Sequence, residues 1–218
     1  MSTGQQETAM TTDSEHSQIA RLRTHGERAL ADAISSYSDR LLRIVDLRLD
    51  PRLCGRVDAA DIVQEVFLEA RKRLPRFLGD ASVPVFVWLR GVTLDTLVHI
   101  HRRHLGAKKR DAGREVSLQG VGTPQATSIS LASFLIGDLT SPSQAAIRGE
   151  LVAAIEVTLD AMDEIDREVL VLRHFEQLSN DEVASVVGVK KAAASRRYMR
   201  ALARFREALS AIPGFEVE

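Results

Sequence analysis

The stretch "LSNDEVASVVGVKKAAASRRYMRALARF", Leu178–Phe205, holds a complete set of local instructions. Ser179 followed three residues later by Glu182 is a capping-box pattern. The hydroxyl accepts from the Glu182 backbone N–H while the Glu182 carboxylate reaches back to the Ser179 N–H. A short helix to about Val187 follows, with Val183, Ala184 and Val187 on one face. Gly188 then tolerates a left-handed turn, Val189 anchors that turn, and a second helix starts near Lys190 or Lys191. In the second helix Ala194, Tyr198, Ala201, Phe205 and Leu209 form the buried stripe, with Arg196, Arg197, Arg200 and Arg204 mostly elsewhere. A capped short helix, a glycine turn and a basic helix make the pattern of a helix-turn-helix whose second helix enters a DNA major groove. Arginines grip phosphates, and early residues of the second helix reach base edges. A solvated basic face on a plain helical bundle has the same local pattern, so this stretch alone leaves both readings open.

The charge of the whole chain conceals this. The 218 residues carry a formal net charge of only −1, yet Lys190–Arg206 has seven basic residues and no acid. Arg102–Arg110 has five more, again without an acid, whereas Glu150–Glu168 is acidic. Segregation of this kind creates a local field that the net charge averages away. Hydrophobic residues make up 44% of the chain, enough for real cores and too many for a disordered segment. The longest apolar run, Val83–Leu89, is far short of the ~20 residues of a membrane span. The first 18 residues lack the basic start and apolar middle of a signal peptide and read as a polar tail, so a cytoplasmic location is expected. The single cysteine, Cys54, excludes an internal disulfide and any zinc site built on paired cysteines.

Periodicity points to an all-α chain. Ile147, Leu151, Ile155, Leu159 and Met162 recur at spacings of three and four, and Val63, Val66, Phe67 and Ala70 repeat the pattern earlier. No alternating strand pattern stands between turn signals. Asp111–Gln144 is rich in Gly, Ser, Thr and Pro and reads as a flexible linker. The expected organisation is a tail over 1–18, a helical domain over 19–110, a linker over 111–145 and a helix-turn-helix domain over 146–212.

The first domain has its own constellation. Asp58 is a good N-cap for a helix whose Val63, Val66, Phe67 and Ala70 face a core. Asp61, Gln64, Glu65 and Leu68 form a second stripe. A leucine among carboxylates and an amide fits a partner-docking face or a solvated face equally. After a loop over Leu74–Pro84, Pro84 opens a long helix through Trp88 to a basic end. Those cations complement the helix dipole or follow a nucleic-acid backbone. Phe86 and Trp88 fit either base stacking or a core. His99 and His101 lie about 200° apart on a helix, and no nearby carboxylate or cysteine completes a metal site around them and His104.

Taken in order, "DAADIVQEVFLEARKRLPRFLGDAS…VWLRG", a linker and "LDAMDEIDREVLVLRHFEQLSNDEVASVVGVKKAAASRRYMRALARF" resemble the extracytoplasmic-function sigma factors of the sigma-70 family. The likeness spans about Ala20–Leu209. It implies that Asp61, Gln64, Glu65 and Leu68 dock on the clamp helices of core RNA polymerase. It implies that the loop carrying Arg76, Phe77, Asp80 and Ser82 holds a flipped base of the promoter −10 element. His99, Arg102 and Arg103 would contact the −10 duplex and aid its opening, and Asp111–Gln144 would thread toward the polymerase active-site channel. Lys190, Lys191, Ser195, Arg196, Arg197 and Arg200 would read the −35 element. The implied partners are core RNA polymerase, promoter DNA and an anti-sigma protein. The resemblance implies no membrane insertion, cofactor, metal or catalytic residue. The family commonly has Ser, Val and Lys where Lys190, Ala194 and Ser195 stand, and often a polar Asn near Leu94. These departures bear on promoter sequence. The rival is a helix-turn-helix regulator that binds an operator without polymerase.

Overall fold

The computed structural model describes residues 3–105 and 152–210, and the chain divides into two compact units, Met1–Pro124 and Gln125–Glu218. Every described regular element is helical, apart from one isolated bridge between Cys54 and Val57. The linker expected over 111–145 lies outside the described residues.

In the first unit, α1 (Thr3–Ser36), α2 (Ser38–Arg48), α3 (Ala59–Gly79) and α4 (Val85–Leu105) pack around one core. The Asp58 carboxylate caps α3 by accepting from the Ala60 N–H at 2.8 Å, as expected. The buried stripe of α3 is Ile62, Val66, Ala70, Leu74 and Phe77. Val63 and Phe67, expected in that core, are only half-buried at its edge. The helix also runs further than expected, through Pro75 to Gly79. Proline forfeits one backbone hydrogen bond within a helix. Burial of Leu74 and Phe77 on either side offsets that loss. The Phe77 ring stacks on Trp88 with centroids 4.3 Å apart and planes 8° from parallel.

The stretch 1–18 departs from a tail as well, because α1 begins at Thr3. Its Gln, Glu, Ala and Met are good helix formers, and no proline interrupts them. Two of its side chains are bonded into the domain. Gln18 Oε1 accepts from the Tyr37 hydroxyl at 2.9 Å, and a Glu15 carboxylate oxygen accepts from the Val85 N–H at 3.1 Å. Helix α1 bends at Gly26, whose φ of 50° and ψ of −122° are a backbone state that side chains disfavour.

In the second unit a helix over 152–160 (α5) precedes α6 (Glu164–Leu170), which passes into a π-helical turn, Val171–Phe175. Asp163 caps α6 by accepting from the Ile165 and Asp166 N–H groups. Helices α7 (Asn180–Val187) and α8 (Lys191–Ser210) complete the unit. Ile155, Leu159, Val169, Leu172, Phe175, Leu178, Val183, Ala194, Ala201 and Phe205 are buried in it. Met162, expected on the same stripe as Ile155 and Leu159, is half-buried beyond the end of α5.

Two stability measurements follow from this packing. Phe77→Ala removes a buried stacked ring and is expected to cost about 3–5 kcal/mol in denaturant unfolding; an unperturbed midpoint contradicts its place in the core. The second concerns His101, whose Nε2 accepts from the Asp50 backbone N–H at 3.1 Å and therefore must be unprotonated. Burial holds this imidazole below its ordinary 6.5. Below that pH the unfolded chain takes up a proton that the folded one refuses, so the unfolded state binds more protons. Stability of the first unit is thus expected to fall as pH drops below about 6.5 and to level off below the folded value. His101→Ala flattens that dependence, as read by unfolding curves across this range.

Candidate nucleic-acid and polymerase interfaces

Helix α8 is delivered by the turn read from the sequence. The Glu182 carboxylate accepts from Ser179 N–H at 2.7 Å, and Ser179 Oγ accepts from Glu182 N–H at 3.2 Å. Gly188 adopts φ 70° and ψ 32°, and its N–H donates to the Ala184 carbonyl. Lys191 then reaches back to Asp181 at 2.7 Å, which ties the start of α8 to α7. Tyr198 is half-buried, hydrogen-bonded to His174 at 2.9 Å, with the Arg173 guanidinium 5.4 Å from its ring centre.

These contacts sort the basic residues. Arg204 pairs with the mostly buried Asp166 at 3.2 Å and so belongs to the packing of α8 on α6. Lys191, expected against DNA, spends its ammonium on Asp181 and fixes the angle between the two helices. Lys190, Arg196 and Arg200 are exposed, Ser195 and Arg197 half-buried. Arg196 and Arg200 stand one turn apart, with Met199 beside them at 60% exposure. This is the outward face of α8, opposite Ala194, Ala201 and Phe205.

The first unit offers two further surfaces. Asp61, Gln64 and Leu68 are exposed on one side of α3, with Leu68 49% open to solvent. Beside them Ile34, Val63, Gln64, Phe67 and Leu68 line a shallow depression of about 290 Å³, apolar and large enough for a partner's side chain. The half-buried Val63 and Phe67 are therefore part of the same face. Sequence reading missed them because their spacing also fits a core stripe. Glu65 pairs with Arg103 of α4 at 3.4 Å, an exposed contact worth at most about 1 kcal/mol.

The second surface is the α3–α4 connection and the end of α4. Arg76, Asp80 and Ser82 are exposed, as are His99, Arg102 and Arg103. Phe77 is not among them. Expected against a flipped base, it is 6% exposed and stacked on Trp88, because α3 continues past it and turns its ring inward. The connection is correspondingly shorter, residues 80–84, with Ser82 N–H donating to the Asp80 carbonyl at 2.9 Å. Phe86 is fully buried and unavailable for stacking on DNA. In mid-α4, Thr93 and Thr96 are buried with hydroxyls donating to the Leu89 and Val92 carbonyls, and Leu94 is buried beside them. Asp95 pairs with Arg73. Polar residues there serve the fold, and the exposed cations of α4 are at its C-terminal end. Among the described residues no group of three or more His, Cys, Asp or Glu side chains is placed to hold a metal.

Residues 153–205 match the family model "Sigma-70, region 4", which contains the capping box, the Gly188 turn and most of α8. The RNA polymerase sigma-H factor of Pseudomonas aeruginosa is 26% identical over 92% of this chain and 96% of its own length. The chain is similar to the extracytoplasmic-function sigma factors of the sigma-70 family over most of its length. Two further members show how far the likeness reaches. ECF RNA polymerase sigma factor SigD of Mycobacterium tuberculosis is 26% identical over 85% of this chain and 80% of its own length. The sigma-E factor of Escherichia coli K12 is 26% identical over 84% of this chain and 87% of itself. These alignments run through both units, so the match is not confined to the helix-turn-helix.

The exposed Arg196 and Arg200 generate a measurable expectation. Arg200→Ala is expected to weaken use of a mapped promoter by about 1–3 kcal/mol if the guanidinium meets a base edge, with specificity relaxed at that position. Arg204→Ala is expected to act on stability instead, through Asp166. Unchanged transcription from that promoter with Arg200→Ala contradicts the contact.

Proposed function

We propose that this chain works as the promoter-reading subunit of RNA polymerase, in the cytoplasm and without chemistry of its own. It binds the core enzyme, directs it to promoters through −10 and −35 contacts and aids strand opening. The observation that carries the division of labour is the sorting of exposed side chains. Among the described residues each unit has an outward face of exposed side chains, Asp61, Gln64 and Leu68 on α3 and Arg196 and Arg200 on α8, and the first unit adds the exposed end of α4.

Asp61, Gln64, Glu65 and Leu68, together with Val63 and Phe67, form the polymerase-docking face. A central apolar patch rimmed by polar groups is the usual anatomy of a protein interface. Arg76, Asp80 and Ser82 border the pocket for a −10 base, whose unstacking costs a few kcal/mol that contacts in the pocket must offset. His99, Arg102 and Arg103 follow the adjacent duplex. Lys190, Ser195, Arg196, Arg197 and Arg200 meet the −35 element, with Lys191 setting the angle of approach. Dividing the readout between two units makes binding depend on effective concentration, which polymerase supplies by holding both in place. A chain of net charge −1 then needs no high affinity for DNA by itself.

Agreement with full-length sigma factors across both units favours this reading over a stand-alone operator-binding regulator. No helix among the described residues is long and apolar enough to cross a membrane.

Co-purification with bacterial core polymerase, followed by run-off transcription on genomic fragments, tests the proposal. Stoichiometric binding with new start sites is expected; DNA binding without polymerase binding favours the regulator. Asp61→Lys combined with Leu68→Ala is expected to weaken the polymerase complex by roughly 1–3 kcal/mol. Both side chains are exposed, so the thermal midpoint is expected to stay put.

A further inference from the structure

Helix α1 is bonded to both ends of the short connection between α3 and α4. Arg23 donates from a guanidinium nitrogen to the Leu78 carbonyl at 3.3 Å, at the C-terminal end of α3. Glu15 accepts from the Val85 N–H at 3.1 Å, at the first residue of α4. Pro84 supplies the carbonyl for the first intrahelical bond of α4, from Trp88, so the Val85 N–H has no acceptor within its own helix. Leu22, 1% exposed, anchors α1 between the two contacts.

The signs of the charges match the helix ends. A C-terminus carries partial negative charge and receives the arginine; an N-terminus carries partial positive charge and receives the glutamate. Glu15 and Arg23 are eight residues apart, or roughly 12 Å of rigid helix. The connection they bracket is residues 80–84, whose own hydrogen bonds are local: Asp80 N–H to the Phe77 carbonyl and Ser82 N–H to the Asp80 carbonyl. The direct packing of α3 on α4, with the Phe77–Trp88 stack, sets its span in part, and the two α1 contacts bear on its two ends from outside. The bend at Gly26 lets this part of α1 lie at its own angle to the rest, while Arg21 and Asp32 approach to 3.5 Å across the bend.

We propose that α1 is a brace for the base-capturing loop, with Glu15 and Arg23 as positioning residues that hold the α4 and α3 ends apart at the width a flipped −10 base needs. The inference rests on the assignment of residues 80–84 as that pocket. Neither residue touches DNA. Each acts by fixing a helix end, so loss of either widens the range of loop geometries and blurs discrimination between bases.

The test uses the full chain assembled with core polymerase and single-stranded oligonucleotides of a mapped −10 sequence, carrying each of the four bases at the flipped position. The readout is the ratio of affinities for the preferred and the other bases. Glu15→Ala and Arg23→Ala are each expected to reduce that ratio by roughly 2- to 5-fold, and together by more, with holoenzyme affinity unchanged. Arg23→Lys keeps the charge and a donor and is expected to restore most of the ratio, which guards against a variant that merely misfolds. Ser82→Ala and Asp80→Ala are the loop controls. If the loop variants lose discrimination while both brace variants keep it, the brace is overturned and the pocket stands. If all of them discriminate as the wild type does, the pocket assignment falls and takes the brace with it. Equal loss of affinity for all four bases, or loss of holoenzyme, also overturns the positioning role and leaves α1 as ordinary packing.

Discussion

The buried stripe of α3 is the constraint on which the first unit depends. Ile62, Val66, Ala70 and Leu74 follow one another at intervals of four. Four residues advance a helix by about 40° beyond a full turn, so the stripe winds around α3 as it runs. It can therefore meet three neighbours, and α3 does pack against α1, α2 and α4. At the N-terminal half the opposite side stays open, which leaves Asp61, Gln64 and Leu68 in solvent with Val63 and Phe67 at the margin. At the C-terminal half the same winding brings Phe77 onto Trp88 and leaves Arg76 outside. One burial pattern thus leaves the proposed docking face exposed at one end of the helix and closes the core beneath the connection to α4 at the other.

The second unit solves a different problem, which is how to present cations without scattering them. Of the basic residues on α8, Arg204 and the leading Lys191 are held by Asp166 and Asp181. These pairs fix how α8 lies on α6 and α7. Of the basic residues not so held, Arg196 and Arg200 stand exposed one turn apart on the face opposite Ala194, Ala201 and Phe205. Acids elsewhere balance the chain as a whole, so the field is local.

The most legible parts of the sequence were those whose cause lies within a few residues. The Ser179–Glu182 box, the Gly188 turn and the Asp58 cap each need only their neighbours, and all three stand in the structure as read. What escaped depends on contacts across long separations. Pro75 looks like a helix end until Leu74 and Phe77 are seen buried on either side of it. Phe77 looks like a loop aromatic until Trp88 is placed against it. The opening residues look like a tail until Glu15 meets Val85 and Gln18 meets Tyr37. Val63 and Phe67 share the helical spacing of core residues, and only the positions of the neighbouring helices decide that they lie at its margin. The family resemblance supplied the roles, but it could not say which side chains at those positions are already engaged within the fold.

The account is tested most directly by photo-crosslinking from position 68, with a light-activated amino acid in place of Leu68 and purified bacterial core polymerase in equal amount. The docking face described above predicts a strong crosslink to polymerase that is suppressed by excess unlabelled wild-type chain. A chain that forms the complex yet crosslinks to nothing from position 68, while a probe on the far side of the first unit does, would contradict the assignment of α3 as the polymerase-facing helix.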